Sequence, residues 1–197
     1  MQAIFIDKDG TLIKDVPHNV DPDLIELCDK AGDGLHFLQQ LGYHLFVVSN
    51  QPGVAKGLFP EEALEPVEVR ITELLSQEQV VLDGFYYCPH HPDGIRPGYA
   101  TDCDCRKPMP GLLLRAAREH GIDLPRSWMI GDILHDVEAG NRAGCNTVLI
   151  DNGNETEWEI SAERIPDLVV PDLHAAALAI ARHDEAGRRN SMETSAL

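Results

Sequence analysis

The sequence predicts a single doubly wound α/β domain built on one parallel sheet, and three observations carry that prediction. Short, near-continuous apolar runs recur along the chain, as they do in strands buried on both faces. Segments with helical spacing separate them, the alternation expected of a parallel sheet covered by helices. Each strong run also ends in polar residues, which places side chains for chemistry at the carboxyl edge of the sheet, where such sheets bind ligands.

The elements follow in order. AIFID (3–7) is the first strand, and Asp33 to Leu41 is a helix with apolar residues at Leu35, Leu38 and Leu41, stopped by Gly42. YHLFVVSN (43–50) is the second strand, followed by a helix over 61–75 and a third strand in GFYYC (84–88). A helix over 110–120 ends at Gly121, SWMIGD (127–132) is the fourth strand, and 136–143 is a helix ending at Gly144. NTVLID (146–151) and the weaker LVV (168–170) complete six strands. No internal repeat is visible. The intervals between motifs are too short for a separate cap domain, and residues 184–197 lack periodicity and read as a disordered tail after a domain over 1–183.

Bulk composition narrows the function. At 197 residues, 43% apolar and 25% charged, the chain is of ordinary globular type and long enough to bury a core without disulfides. A net charge of −17 argues against nucleic acid, which needs a cationic face, but not against a small anion held in a local cationic pocket. No apolar run reaches the roughly 20 residues of a membrane span, and no basic region precedes the first apolar stretch, so a cytoplasmic protein is expected. Compactness makes a monomer the expected state.

The chemistry sits at the strand ends. Asp7 and Asp9 follow the first strand in DKDGTL, and two such carboxylates can divide labour, one attacking phosphorus while the other donates and then accepts a proton. Ser49 and Asn50 end the second strand and can offer a hydroxyl and backbone N–H groups to an anionic oxygen. Arg106 and Lys107 are adjacent cations ahead of a helix. Asp132, with Asp136 four residues on, can supply the one or two carboxylates that Mg²⁺ takes beside waters and a substrate phosphate. Each segment alone also fits turn or helix-start chemistry; their convergence on one crevice gives them weight.

Five cysteines is an odd number, and Cys88, Cys103 and Cys105 are clustered. Cys88-Pro-His90 and Cys103-Asp-Cys105 form two matching pairs, and three thiolates with one imidazole suit a closed, structural Zn²⁺ site. His90 mirrors the Cys-x-Cys spacing and is the expected fourth ligand, with His91 as the substitute. Because Cys105 directly precedes Arg106-Lys107, zinc there would fix the loop that carries the phosphate-binding lysine.

A strand-end DxDGT, a strand-end Ser, Lys-Pro before a helix and a strand-end Gly-Asp with a following Asp, in that order from Asp7 to Asp136, resemble the haloacid dehalogenase (HAD) superfamily. The resemblance implies Asp7 as nucleophile, Asp9 as general acid/base and Ser49, Asn50 and Lys107 as phosphoryl-binding groups. It implies Mg²⁺ held by Asp7, Asp9 (through its backbone carbonyl), Asp132 and Asp136, the last also a possible partner of Lys107. CPHH, CDCRKP and SNQPGVAKGLF narrow this to the subgroup of histidinol-phosphate and heptose-bisphosphate phosphatases, closer to the latter. In that subgroup Arg106 would bind the non-reacting part of a small phosphate ester. One departure stands out: heptose-type members carry Lys after Gly-Asp, where this chain has Ile133. Phosphatases of other sugar phosphates use the same residues. A receiver-like signalling domain or a zinc-stapled binding module is the non-enzymatic alternative, and Asp9, the acid/base, argues for turnover.

Overall fold

The computed structural model describes residues 1–194, with side chains through residue 187. Six strands form one sheet: β1 (Ala3–Ile6), β2 (His44–Asn50), β3 (Gly84–Cys88), β4 (Trp128–Gly131), β5 (Asn146–Ile150) and β6 (Leu168–Val170). All neighbours are parallel, in the order β3-β2-β1-β4-β5-β6. The helices are α1 (Ala31–Gln40), α2 (Leu64–Gln77), α3 (Gly111–His120), α4 (Leu134–Ala143) and α5 (Leu173–Thr194). The predicted fold class and all six strands are therefore present, and no separate cap domain interrupts them.

Both faces of the sheet are covered, which explains why the strands read as unbroken apolar runs. Ile4, Ile6, Leu45, Val47, Trp128, Ile130 and Val148 belong to one core cluster, together with Leu35 and Leu38 of α1, Ile71 and Leu75 of α2 and Ala176, Ala177 and Ile180 of α5. Ala3, Phe5, Phe46, Val48 and Met129 point the other way, onto Leu112, Leu113 and Ala116 of α3 and Ala139 of α4. Successive residues of one strand feed opposite faces. Burying each large apolar side chain contributes about 1.5–3 kcal/mol.

The segment from residue 184, expected as a tail, instead continues α5 to Thr194. Asp184 accepts a hydrogen bond from Tyr43 Oη at 2.7 Å, which ties the helix to the start of β2. Missing apolar periodicity did not forbid a helix, because Glu, Ala, Arg and Met propagate one already docked through Ala176, Ala177 and Ile180. Residues 195–197 of the expected tail lie outside the described residues.

This strand order reverses direction between β1 and β4, the switch point at which a doubly wound sheet opens a crevice beyond its strand ends. Ile6 pairs with Ile130, so the residues after β1 and after β4 emerge side by side. No helix among the described residues is long and apolar enough to cross a membrane.

Candidate active site

Three carboxylates from two strand ends meet at the switch point. Asp7 leaves β1 with its N–H bonded to Ile130 O at 2.9 Å, Asp132 leaves β4, and Asp136 sits in the first turn of α4. One carboxylate oxygen from each lies within 4.8 Å of the others, and all three residues are buried. Lys107, also buried, sits among them: its Nζ donates to Asp7 and to Val48 O (2.9 Å), and lies 2.7 Å from Asp136 Oδ1.

Charge balance shows what the site lacks. Three buried carboxylates face one buried ammonium. Burial, reinforced by Asp136 and Asp9, raises Asp7 to about 7 despite Lys107. Burial and Asp7 raise Asp132 to about 6. Burial also raises Asp136. Burial alone would lower Lys107, but Asp136 and Asp7 beside it raise it above its ordinary value. Negative charge in excess, on hard oxygen ligands within one ion's reach, is the donor chemistry Mg²⁺ takes.

Asp9 points elsewhere. Its carboxylate is half-exposed and is not part of the three-carboxylate group. Lys8 Nζ holds its Oδ1 at 2.5 Å and Gln51 Nε2 its Oδ2 at 3.2 Å. Lys8 is buried against Asp9 rather than turned away by strand alternation. β1 ends at Ile6, so alternation no longer applies at residue 8. The chain turns there, with Gly10 at φ +80°. Gln51, absent from the motif reading, also donates to Ser49 Oγ at 2.8 Å and so links Ser49 to Asp9.

Asn50 spends its amide on the backbone. Its Nδ2 donates to Lys107 O and its Oδ1 accepts from Lys107 N, both at 3.0 Å. Its side chain thereby locks the lysine loop onto the end of β2, beside the phosphate-binding role expected of Asn50. Beside these residues opens a cavity of about 270 Å³ lined by Lys8, Asp9, Asp15, His18, Asn50 and Gln51, among others. His18 reaches it with φ +56°, a conformation uncommon outside glycine.

The cysteine cluster lies at the far end of the same loop. Cys88 Sγ is 3.0 Å from Cys105 Sγ and 3.4 Å from Cys103 Sγ, with Cys103 and Cys105 3.2 Å apart. His90 Nδ1 sits 3.3 Å from Cys105 Sγ and 3.7 Å from Cys88 Sγ. His91, the substitute, accepts the Asp93 N–H at 3.1 Å. Three sulfurs and one imidazole nitrogen within one ion's reach fit tetrahedral zinc, although the edges run somewhat shorter than the ~3.8 Å expected for Zn–S bonds of about 2.3 Å.

Comparisons with known proteins agree with this geometry. A family described as HAD-hydrolase-like matches residues 104–176. The D-glycero-β-D-manno-heptose-1,7-bisphosphate 7-phosphatase of Photorhabdus laumondii is 40% identical over 172 residues, 87% of this chain and 90% of that protein. Its Escherichia coli K12 counterpart is likewise 40% identical, over 87% of this chain and 89% of that protein. Among solved structures, D,D-heptose 1,7-bisphosphate phosphatase from B. bronchiseptica, complexed with magnesium and phosphate, superposes with a TM-score of 0.75 at 29% identity, covering 93% of this chain and 99% of that one. A strand order with its switch point at paired acidic strand ends, a buried lysine between them and relatives matched over nearly their whole length lead to one assignment: the chain belongs to the HAD superfamily of phosphatases, in the branch that holds the heptose-bisphosphate phosphatases.

Proposed function

We propose that the chain is a Mg²⁺-dependent phosphomonoesterase that removes the C7 phosphate of D-glycero-β-D-manno-heptose 1,7-bisphosphate through a phosphoryl group carried on Asp7. The observation that carries this reading is the meeting of Asp7, Asp132, Asp136 and Lys107 in one buried pocket, in a chain 40% identical to enzymes named for that reaction.

Asp7 is the nucleophile. Its carboxylate oxygen attacks phosphorus, forming the acyl-phosphate P–O bond, while the ester P–O bond to C7 breaks and the departing oxygen takes a proton from Asp9. Asp9, now a carboxylate, removes a proton from water. That water attacks the same phosphorus, the bond to Asp7 breaks, and inorganic phosphate leaves. Lys107 and the Ser49 hydroxyl hold the equatorial oxygens. Asn50 positions Lys107, while Lys8 and Gln51 fix the Asp9 rotamer, which a proton shuttle requires. Asp7, Asp132 and the Asp9 carbonyl, with Asp136 close by, would hold Mg²⁺, which would supply the neutralisation that lets one anion attack another. Cys88, His90, Cys103 and Cys105 would hold a structural Zn²⁺ that fixes the Arg106-Lys107 loop.

Arg106 suits the second phosphate. Its Nη1 is buried without a hydrogen-bond partner among the described residues, and a buried, unpaired guanidinium nitrogen demands an acceptor. Lys56 and His91 lie near it: burial first, then Arg106 and Lys56, hold His91 below its ordinary value.

Purified protein with Mg²⁺ tests the proposal against heptose 1,7-bisphosphate, histidinol phosphate and a panel of sugar monophosphates. One phosphate released from the bisphosphate, lost at least about 10³-fold in Asp7→Asn, is the expected result. Preference for histidinol phosphate would move the chain to the other substrate of the subgroup. Release unchanged in Asp7→Asn would remove the proposed nucleophile.

A further inference from the structure

The segment after β5 reaches back across the mouth of the switch-point crevice and touches three separate parts of the carboxylate site. Asn152 Nδ2 donates to Gly10 O at 2.8 Å, holding the turn that follows Asp7 and Asp9. Asn154 Nδ2 donates to Asp132 Oδ2 at 2.6 Å. Glu155 Oε2 accepts the Leu134 N–H at 2.6 Å, satisfying an orphan donor at the start of the helix that carries Asp136. None of these residues belongs to the motifs that place the chain in its superfamily.

The segment is itself fixed. Asn152 Oδ1 accepts from Asn154 N at 3.1 Å, and Glu155 Oε1 accepts from Glu157 N at 2.8 Å, so the side chains of Asn152 and Glu155 are braced against the segment's own backbone. Further along, Arg164 Nε bonds Glu138 Oε2 of α4 at 2.6 Å, and Asn141 Nδ2 of α4 donates to Glu163 O and Ile165 O. With β5 in the sheet before it and residues 163–165 held on α4 after it, the segment that carries residues 152–155 is anchored on both sides. Contact at the centre is tight: a Cβ on Gly10 would lie 2.1 Å from Asp132 Oδ2 and 2.5 Å from Asn154 Nδ2.

We infer that Asn152, Asn154 and Glu155 are positioning residues for the divalent cation, with Asn154 fixing the rotamer of Asp132 so that its other oxygen faces Asp7. Among the described residues, Asp132 Oδ1 receives a long side-chain bond from Thr11 Oγ1, at 3.2 Å, and Oδ2 is taken by Asn154, so the amide decides which oxygen stays available. Hydrogen-bonded partners of a ligating carboxylate typically contribute 10- to 100-fold to metal affinity. This inference rests on the Mg²⁺ reading of the carboxylate site.

Calorimetric titration of Mg²⁺ into metal-free protein, without substrate, tests it. Asn154→Ala should weaken Mg²⁺ binding at least about tenfold while the metal-free melting temperature stays within a few degrees of wild type. At saturating Mg²⁺ its kcat should return towards wild type with KM unchanged. A purely structural residue would lower the melting temperature and leave the Mg²⁺ constant alone; wild-type affinity in Asn154→Ala overturns the inference. Should that variant fail to fold, Asn152→Ala reads the same span through Gly10, with the same expected weakening, and wild-type affinity there overturns it equally. Asp132→Asn separates the two levels: it should abolish the titration heat, and heat unchanged in Asp132→Asn would overturn the Mg²⁺ reading itself.

Discussion

Asp9 and Asp7 are two residues apart and live in different surroundings, which is how one short motif supplies two roles. Asp7 is buried against Lys107; Asp9 is held at its two oxygens by Lys8 and Gln51 at the edge of an open cavity. If Asp9 shuttles the proton, Asp9→Asn keeps size and hydrogen bonding yet loses the transfer. A kcat drop of about 10²–10⁴-fold is expected in steady-state assays with saturating Mg²⁺, and a drop below tenfold would leave Asp9 without that role. Gly131 tests packing at the same scale. A Cβ there would lie 2.3 Å from Asp136 Cβ and Cγ, and Asp136 has no room to retreat because it is fully buried beside Lys107. Gly131→Ala should cost about 1–3 kcal/mol in denaturant unfolding and reduce activity as well. At this scale the sequence was only partly legible. Asp7, Lys107, Asp132 and Asp136 stand beside strand ends or in recognisable order. Lys8, Gln51, Asn152 and Asn154 gave no such signal, because what matters about each is the atom it reaches, and a loop places that atom only once the fold has closed.

The elements were easier to read than their contacts. Strand limits agree to within a residue or two because burial on both faces leaves β-branched runs with abrupt polar ends. The first helix begins at Ala31 rather than Asp33 and the second at Leu64 rather than Glu61, where Glu61–Ala63 form a 3₁₀ turn instead. Helix starts are where local propensity and tertiary docking trade places. α5 was not predicted for a related reason: of the residues on its buried face, Leu173, Ala176, Ala177 and Ile180, the two at the centre are alanines, which mark an apolar stripe weakly. The irregular stretch between β3 and α3 depends most on a ligand. It contains three of the four candidate zinc ligands, the fourth being Cys88 at the end of β3, and then, without a break after Cys105, Arg106 and Lys107. If zinc closes this loop, purified protein should hold one zinc per chain by elemental analysis. Cys103→Ser should lose that zinc and reduce kcat/KM at least about tenfold by loosening Lys107. Zinc-free wild-type protein at full activity would show that the loop holds its shape through its hydrogen bonds, such as Gly111 N–H to Asp104 O at 2.8 Å, without the metal.

The whole molecule carries its catalytic strain in its stability. Strand order could not be read from the sequence as such; the folded sheet places β1 beside β4, and that adjacency brings Asp7 and Asp132 together. The consequence is a pH dependence with a definite sign. Asp7 rises from 3.8 to about 7 and Asp132 from 3.8 to about 6, so between pH 4 and 7 the folded chain binds more protons at these sites than the unfolded chain does. Stability from these two groups is therefore fully present below about pH 4 and is lost as pH climbs towards 7. Metal-free protein should melt at progressively lower temperature from pH 5 to pH 7. Other groups titrate in that range as well, so the diagnostic comparison is with Asp7→Asn, whose decline should be shallower because one buried carboxyl no longer has to ionise. Saturating Mg²⁺ should reverse the order, since it binds the ionised carboxylates and stabilises only the folded state. Parallel melting curves for wild type and Asp7→Asn at every pH, with no added stabilisation by Mg²⁺ at pH 7, would mean that the site is neither strained by its buried charge nor relieved by the cation.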